Sequence, residues 1–452
     1  MALRPRAAIL SVGDELVLGE KLDTNSKWLA DQLGRLGLLV TEHRTAPDDL
    51  EQLAQVMLEM AQAADVLLVG GGLGPTADDL TRQAFASMLE QLTGRPQPLV
   101  EDAQAMAGIR ERFERLGRAM PQSNRVQALR PRDAHCLPNP QGTAPGMRYR
   151  SADGAAPAFI ACLPGPPREM RPMFEAHLAP ELRELPGVSA SGLRVVQVFG
   201  LGESEVATRI ADLMHRENNP AVGTTASSGM VTCRVRVDAS LPVHGPYDAN
   251  DPMAAVEEAI ASIERLADSY VVGHLDMPLA AFLLEEARAR SVSIATAESC
   301  TGGLLGDLVT SQAGSSSVYV GGWVTYSNPM KASQLGVSPD LLNRFGAVSG
   351  EVACAMAAGA LERSGAGLAI STTGIAGPGG GTPEKPVGTV WIGCAAGQAP
   401  PIARSFVFAG DRDSIRRWTA NTALFIGLLA IRGQVGKRLL GETTDAEATK
   451  TG

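Results

Sequence analysis

The stretch Ala7-Ala8-Ile9-Leu10-Ser11-Val12-Gly13-Asp14-Glu15 is an apolar run that enters a polar turn. Residues 25–36 then place apolar side chains at helical spacing, so the segment predicts a strand, a loop and a helix. The same alternation returns with strands predicted at 38–40 and 65–70 and helices predicted at 50–64 and 78–89. Strands interleaved with helices indicate an α/β domain with a largely parallel sheet, whose sites lie at the carboxyl ends of the strands.

A second α/β series follows residue 273, and the pattern between residues 180 and 266 is β-rich and alternating. The predicted fold class is therefore α/β, with two α/β domains of largely parallel sheets joined by a small α+β module. A long segment at 93–132 is predicted to be helical. The predicted domains are 1–172, a linking module at 173–268, 269–438 and a disordered tail at 439–452.

Composition excludes several classes of protein. The chain has 452 residues, a formal charge of -9 and six cysteines without a C-x-x-C pair. The acidic balance argues against direct nucleic-acid binding, although a local basic patch stays possible. The scattered cysteines predict neither disulfides nor a cysteine zinc site. No apolar run reaches the length of a membrane span and no leader is recognised, so we expect a soluble, cytoplasmic protein.

The segment Thr296-Ala297-Glu298-Ser299-Cys300-Thr301-Gly302-Gly303 leads a predicted strand into hydroxyl residues and glycines at a helix start. Backbone N–H groups at a helix start can stabilise the oxyanion formed when a nucleophile attacks. Ser299 or Thr301 would equally serve as a helix cap. The segment alone leaves both interpretations open.

All six histidines precede residue 275, which rules out a serine–histidine–acid triad confined to the last domain. A base there must be a lysine, a tyrosine or a carboxylate. Lys331 follows a predicted strand, and Tyr326 lies five residues before it. For Lys331 to act as a base, its pKa must fall from about 10.4 to about 7, which requires roughly 4–5 kcal/mol. A solvated surface lysine is the alternative.

Two other segments of this domain suit an anion. The glycine-rich loop at 372–381 follows an apolar strand, where its N–H groups could cradle a phosphate, or it is simply a long turn. Arg412 could bind a phosphate through two N–H groups, or pair with the aspartates beside it. Neither segment decides between these interpretations by itself.

In the N-terminal domain, acidic and glycine-rich loops follow predicted strands, as at 13–15, 23–26, 70–81 and 139–146. Such loops meet at one edge of a parallel sheet. Carboxylates beside glycine turns suit a pyrophosphate with a hard divalent cation. For Asp78 and Asp79, stabilisation of a helix start with Thr76 as its cap is an equal alternative.

The strings AESCTGG, GSSSVYVGGWVTYSNPMK, TTGIAGPGGGTPEKPVGTVW and FAGDRDSIR resemble the CinA C-terminal domain, the nicotinamide-mononucleotide amidohydrolase family. The resemblance implies hydrolysis of nicotinamide mononucleotide to nicotinic acid mononucleotide and ammonia, without a cofactor. It implies Ser299 as nucleophile, Lys331 as its lysine and Tyr326 as an assisting residue. Cys300, the rival nucleophile, carries no signal in the family pattern and is expected to pack. The residues implied to face the mononucleotide are Thr301, Gly302, Gly303, Thr373, Gly374, Gly377, Gly379 and Arg412.

The strings GGLGPTADD at 71–79 and LPGPPREM at 163–170 resemble the molybdopterin-binding-like domain of the same family. That resemblance implies a metal-dependent pyrophosphatase acting on ADP-ribose. The implied metal ligands are Asp14, Glu15, Asp23, Asp78 and Asp79. The implied substrate residues are Gly71, Gly72, Gly74, Thr76 and Asn25. The middle segment is similar to the family's KH-like module but lacks its basic GXXG-type loop, which argues against RNA binding there.

The leading hypothesis is a bifunctional enzyme of pyridine-nucleotide salvage, with small nucleotides as substrates and a divalent metal in the N-terminal domain only. Apolar Met and Leu positions on the long helices favour a homodimer. One alternative is a competence or DNA-damage adaptor without essential catalysis. Another is a molybdopterin-binding module, which would leave the C-terminal motifs unused.

Overall fold

The computed structural model describes residues 4–151, 157, 159–188, 193–238 and 241–443. The chain forms two compact units, the first comprising residues 1–193 with 237–242 and the second comprising 194–236 with 243–452. The domain boundaries expected from the sequence stay a prediction.

The first unit is built on a six-stranded sheet of order β2-β1-β3-β8-β7-β6, in which β2, β1, β3 and β8 are parallel. Its strands are β1 (Arg6–Val12), β2 (Leu39–Ala46), β3 (Val66–Gly70), β4 (Leu99–Glu101), β5 (Leu129–Pro131), β6 (His135–Leu137), β7 (Gly146–Arg150) and β8 (Phe159–Leu163). Its helices are α1 (Asp14–Val17), α2 (Thr24–Leu36), α3 (Leu50–Ala63), α4 (Thr81–Thr93), α5 (Ala103–Arg115), α6 (Pro167–Met173) and α7 (Ala179–Arg183).

The central strands of this sheet are apolar on both faces. Strands β3 and β8 are buried at every residue, because helices cover the sheet on each side. Helices α2, α3 and α5 begin where Asp23, Asp49 and Asp102 accept a hydrogen bond from a backbone N–H of the first turn. The strand–loop–helix start predicted from residues 7–36 is confirmed.

The second unit contains two sheets. Its strands are β9 (Arg194–Phe199), β10 (Ala221–Ser227), β11 (Met230–Arg236), β12 (Val271–Gly273), β13 (Ile294–Glu298), β14 (Tyr319–Val324), β15 (Leu368–Gly374), β16 (Thr389–Ala396) and β17 (Ile402–Val407). Its helices are α8 (Glu203–Arg209), α9 (Pro252–Ala267), α10 (Leu279–Ala289), α11 (Leu304–Thr310), α12 (Asn328–Leu335), α13 (Pro339–Phe345), α14 (Gly350–Ser364) and α15 (Arg412–Arg432).

The smaller sheet is antiparallel, of order β10-β11-β9-β12, and the larger has the order β14-β13-β15-β16-β17. In the larger sheet β13 pairs in parallel with both β14 and β15, whereas β16 and β17 are antiparallel. The predicted α/β class, with largely parallel sheets and an α+β module, is confirmed.

The two sheets of the second unit share a core. Phe199 at the end of β9 packs on Phe425 of α15, with ring centroids 5.1 Å apart. Strand β12 pairs with β9, so the chain enters the larger domain directly from the smaller sheet. Along the described part of the chain, no helix has the length and apolar character that crossing a membrane requires.

Two local predictions differ from the structure. The segment 93–132, predicted to be helical, contains α5 but also the paired strands β4 and β5. Residues 439–443, predicted to begin a disordered tail, are ordered, because Leu439 is buried and Glu442 pairs with Arg404. The rest of the predicted tail, 444–452, lies outside the described residues.

Candidate active site

Ser299 lies at the carboxyl end of β13, the strand between β14 and β15. Its N–H donates to the carbonyl of Thr372 on β15 at 2.9 Å, which continues the sheet pairing one residue beyond β13. The chain then turns through Gly302 and Gly303, whose φ angles of 62° and 98° favour glycine. This turn holds Ser299 almost buried at the sheet edge where α/β proteins place their sites.

Lys331 lies in the second turn of α12 and is 1% exposed. Its Nζ donates to the Ser299 Oγ at 2.9 Å, to the Thr325 carbonyl at 3.0 Å and to the Tyr326 carbonyl at 3.3 Å. Burial lowers the pKa of the Lys331 ammonium, because desolvation disfavours the charged form. The structure therefore brings Ser299 and Lys331 together in the geometry of a nucleophile and its base.

Tyr326 contacts this pair through its backbone rather than its side chain. The side chain is in an exposed position, with the residue 59% exposed, and its hydroxyl accepts from the Arg412 Nη2 at 3.0 Å. The Tyr326 carbonyl accepts from Lys331. In the described residues, the phenol bonds to Arg412 and not to Ser299 or the Lys331 amine, so its assisting role stays a prediction.

Glu298, which also precedes the turn, uses the N–H groups of the helix start. Its buried carboxylate accepts from the N–H groups of Gly303 at 2.9 Å, Leu305 at 3.0 Å and Gly306 at 2.8 Å. The prediction that N–H groups at this helix start face an oxyanion is therefore wrong for these three groups.

Thr301 is held at both its side chain and its carbonyl. Its hydroxyl bonds to the hydroxyl of Thr372 at 2.7 Å, and its carbonyl accepts from the Arg416 Nη2 at 2.7 Å and Nε at 3.2 Å. Thr301 is fully buried, so its hydroxyl supports the turn. The sequence analysis missed Arg416, although it follows Arg412 by four residues and therefore lies on the same face of α15.

Cys300 is buried beside Ser299. Burial raises the pKa of its thiol to about 12, so the nucleophilic thiolate is scarce at neutral pH. This environment agrees with the expectation that Cys300 packs and does not react.

The glycine-rich loop after β15 is divided between buried and exposed residues. Gly377 is buried and its carbonyl accepts from the Arg412 Nη1 at 2.6 Å, whereas Gly379 is exposed. Thr373 differs from its predicted role, because it is buried and its hydroxyl donates to the Ala347 carbonyl at 2.7 Å. Gly374, the last residue of β15, is half-buried.

In the first unit, the loop after β3 is closed on itself. The Asp79 carboxylate accepts from the N–H groups of Gly74 at 2.6 Å and Thr76 at 2.9 Å, and from the Thr76 hydroxyl. The side chain of Arg82, a buried residue missed by the sequence analysis, donates to the carbonyls of Gly74 and Leu73. Asp79 therefore organises the loop, and α4 begins only at Thr81.

Two glycines of this loop have left-handed backbones, Gly71 with φ 109° and Gly72 with φ 63°. A Cβ on Gly71 would meet the backbone of Val12 on the neighbouring strand, so the loop crosses β1 too closely for any other residue. The Thr81 hydroxyl donates to the Gly71 carbonyl at 2.8 Å. These contacts fix the loop against the sheet edge.

Asp23 and Asn25 lie at the start of α2. The Asp23 carboxylate accepts from the Ser11 hydroxyl at 2.6 Å and from the Ser26 N–H at 2.9 Å, as a helix cap. Although burial opposes it, these hydrogen bonds leave the Asp23 pKa below its usual value. The Asn25 Nδ2 donates to the Gly165 carbonyl at 2.6 Å, whereas its Oδ1 is buried without a partner in the described chain.

Carboxylates gather around Asp48, which the sequence analysis missed because it ended β2 six residues too early. The N–H of Asp14 donates to Asp48, and the N–H of Asp48 donates to Asp14, each at 3.1 Å. Burial, followed by the negative charges of Asp14, Asp78 and Glu15, raises the pKa of Asp48. Glu15 also pairs with Lys21 at 3.3 Å, and Asp78 is exposed.

These carboxylates bear on the predicted metal. In the described residues, no three acidic, histidine or cysteine side chains are placed so that they could together hold a metal ion. Mg²⁺, however, commonly takes one or two carboxylates and completes its shell with water and substrate phosphate. The Asp14–Asp48 pair fits that pattern, because burial and then the neighbouring negative charges raise the Asp48 pKa, and a cation would offset both.

Comparisons with known proteins match three segments of this chain to three families. Residues 276–429 match the family described as "CinA C-terminal domain", residues 193–271 match "Damage-inducible protein CinA KH domain", and residues 8–184 match "Probable molybdopterin binding domain".

Similar proteins cover nearly the whole chain. A protein of Symbiobacterium thermophilum, named as competence-damage inducible, is 40% identical over 92% of this chain and 97% of its own length. A CinA-like protein of Geobacter metallireducens is 40% identical over 93% of this chain and 97% of its own length. A crystal structure of the competence/damage inducible protein CihA from Agrobacterium tumefaciens is 43% identical, covers 34% of this chain and 93% of its own, and has a TM-score of 0.33.

Proposed function

This chain belongs to the CinA family, and from that premise we propose that residues 276–429 hydrolyse the carboxamide of nicotinamide mononucleotide. The products are nicotinic acid mononucleotide and ammonia. The observation that carries the proposal is the 2.9 Å contact between the Lys331 Nζ and the Ser299 Oγ, made by a lysine whose pKa is lowered by burial. A neutral lysine at this distance can accept the serine proton.

The proposed reaction proceeds through an acyl-enzyme. Neutral Lys331 takes the proton of Ser299, and the serine oxygen attacks the carboxamide carbon to form a tetrahedral intermediate. The Lys331 ammonium then donates its proton to the leaving nitrogen, ammonia departs and the nicotinoyl ester of Ser299 remains. Lys331 next takes a proton from water, the hydroxide attacks the ester, and proton return to Ser299 releases the carboxylate. The balance is one amide and one water to one acid and one ammonia.

Recognition of the phosphate is assigned to Arg412. Its guanidinium now donates to the Gly377 carbonyl and to the exposed Tyr326 hydroxyl, two neutral acceptors. A phosphate is a stronger acceptor for a guanidinium than either of these. Arg412 would therefore exchange one or both contacts for the mononucleotide.

The test uses the purified full chain with nicotinamide mononucleotide, and measures ammonia enzymatically and the acid product by chromatography. Ser299→Ala is the matched inactive control. Nicotinamide riboside, which lacks the phosphate, should be a weaker substrate for the wild type, and Arg412→Ala should remove that difference. Absence of ammonia from the wild type would leave the competence or damage adaptor as the better interpretation.

For residues 8–184 we propose hydrolysis of the pyrophosphate of ADP-ribose with a divalent cation. Two observations support the proposal. A cation would relieve the repulsion between Asp14 and Asp48, and the Oδ1 of Asn25 has no partner among the described residues. The cation would polarise the pyrophosphate, while Asp14 and Asp48 hold it. AMP release from ADP-ribose with Mg²⁺ or Mn²⁺ should be lost in Asp48→Asn and retained in Asp31→Asn, which alters an exposed pair with Arg35. AMP release that does not depend on added metal would contradict this proposal.

A further inference from the structure

The turn of residues 299–303 is fixed from two sides by groups outside it. On one side, the Glu298 carboxylate accepts from Gly303 within the turn and from Leu305 and Gly306 just after it. This ties the turn to the end of β13. Glu298 is buried, so no solvent competes for these bonds.

On the other side, Arg416 reaches in from the first turns of α15. Its Nε and Nη2 both donate to the Thr301 carbonyl, at 3.2 and 2.7 Å. The only other partner found for this guanidinium among the described residues is Asp413, at 3.9 Å. Two donors converging on one backbone oxygen restrain both the position and the orientation of Thr301.

We propose that Arg416 and Glu298 are positioning residues that hold the Ser299 turn in register with Lys331. Neither side chain contacts the Ser299 hydroxyl or the Lys331 amine in the described residues. Each acts through the backbone of the turn, and that backbone sets where the Ser299 hydroxyl lies. The proposal rests on Ser299 being the nucleophile of the proposed amidohydrolase.

The two residues complement each other in charge. The buried Glu298 carboxylate accepts from N–H groups at the end of the turn. The Arg416 guanidinium donates to the Thr301 carbonyl near the middle of the turn. Lysine in place of Arg416 could keep the charge but has no planar pair of donors for the Thr301 carbonyl. Glutamine in place of Glu298 would turn an N–H₂ group toward a backbone N–H donor.

Because the nucleophile stays chemically intact, the expected loss is one of rate. Misplacement of a reacting group by about 1 Å can lower the rate on the order of 100-fold. We expect Arg416→Lys and Arg416→Ala to lower kcat by about that factor and to leave KM unchanged, since substrate contacts are retained.

The experiment measures two reactions of the full-length protein. The first is kcat and KM on nicotinamide mononucleotide. The second is the rate at which a small fluorophosphonate labels Ser299, followed by intact mass, which requires an activated serine but no nucleotide recognition. Thermal unfolding of each variant is recorded. Arg417→Ala is the matched control, because Arg417 is the next residue of α15 and its side chain pairs with Asp413 on the surface.

Three results would support the inference: slower labelling by both Arg416 variants, wild-type labelling by Arg417→Ala, and recovery of Arg416→Ala by millimolar guanidinium. Slower labelling by Arg416→Ala in a protein that does not hydrolyse the mononucleotide would also support it, while refuting the proposed substrate. Wild-type labelling by both Arg416 variants would overturn it. The inference would also be overturned if the labelling rate of the variants fell in proportion to their melting temperature and guanidinium did not restore it. Glu298→Gln should label more slowly as well, and wild-type labelling by this variant would overturn the role of Glu298. If Glu298→Gln does not fold, Arg416→Lys decides.

Discussion

The Lys331 Nζ lies 2.9 Å from the Ser299 Oγ, and the lysine approaches it from within a helix rather than from a loop. Helix α12 begins at Asn328 behind a Ser327 cap, so Lys331 has a fixed backbone. Two backbone carbonyls accept the remaining Nζ hydrogens. A neutral amine keeps two of its three hydrogens and offers its lone pair, so this arrangement suits the deprotonated state as well as the ammonium.

The first prediction concerns the charge of Lys331. Lys331→Arg should be as inactive as Lys331→Ala, because arginine keeps its positive charge but cannot lose its proton. Ammonia release from nicotinamide mononucleotide is the measurement. Substantial turnover by the arginine variant would show that the position supplies only positive charge.

The second prediction concerns pH. Burial lowers the Lys331 pKa, and in the proposed mechanism the neutral amine is the active form. The rate therefore rises with pH as the amine loses its proton, and the acidic limb of kcat/KM lies below the range of an ordinary lysine, about 10.4. A limb at the pKa of a free lysine would contradict the assignment. Asp78→Asn and Asp79→Asn should leave the profile unchanged, because both residues lie in the first unit.

The third prediction separates the two neighbouring nucleophiles. Ser299→Ala should abolish ammonia release, whereas Cys300→Ala should retain most of it, since the buried thiol has a pKa of about 12. Iodoacetamide at pH 8 should leave Cys300 unmodified in the folded protein, as read by peptide mass. Loss of activity only in the cysteine variant would indicate a thiol mechanism.

The sequence singled out Ser299 and Lys331, because the absence of histidine left few bases and the family strings named the same residues. The structure places their side chains 2.9 Å apart, while their catalytic roles stay a prediction. The sequence was insufficient for Thr301 and Thr373, whose hydroxyls bond within the protein. Local sequence indicates that a hydroxyl lies near a glycine turn, but the partner of Thr373, the Ala347 carbonyl, comes from a distant segment of the chain. The same holds for Arg416, whose acceptor lies 115 residues away.

The fold was predictable from the sequence where the apolar residues recur with a clear period. It was less predictable where contacts between distant segments determine the local structure. The buried runs of β1 and β3 have a pattern that only a covered sheet satisfies. Residues 439–443 are small and polar except for two leucines, and composition suggested a tail there. Their order comes from Arg404, which donates to both Glu442 carboxylate oxygens, at 2.7 and 2.5 Å. A single ion pair of this kind leaves no periodic signal.

The fourth prediction tests that ion pair. Arg404 and Glu442 have side chains only 7% exposed, so Glu442→Gln leaves a buried guanidinium without its counter-charge. The free energy of unfolding of the second unit should fall by about 3–5 kcal/mol, measured by denaturant titration. Asp268→Asn, which breaks the exposed pair with Lys437, is the control and should unfold at the wild-type midpoint. Equal midpoints for the two variants would show that the buried pair contributes little.

The last prediction concerns how much chain the amidase needs. Phe199 of β9 lies in the same core as Phe425, and a Cβ on Gly229, in the β10–β11 turn, would touch the Trp418 ring of α15. A fragment of residues 193–443 keeps these contacts, whereas a fragment of 270–443 exposes the α15 face that they cover. The longer fragment should therefore release ammonia at the wild-type rate without added metal. The shorter one should melt at a lower temperature, and because α15 also carries Arg412 and Arg416, its kcat should fall as well. Equal melting temperatures and equal kcat values for the two fragments would show that the KH-like module is only a linker. Loss of activity when a chelator is added to the longer fragment would contradict the serine–lysine mechanism.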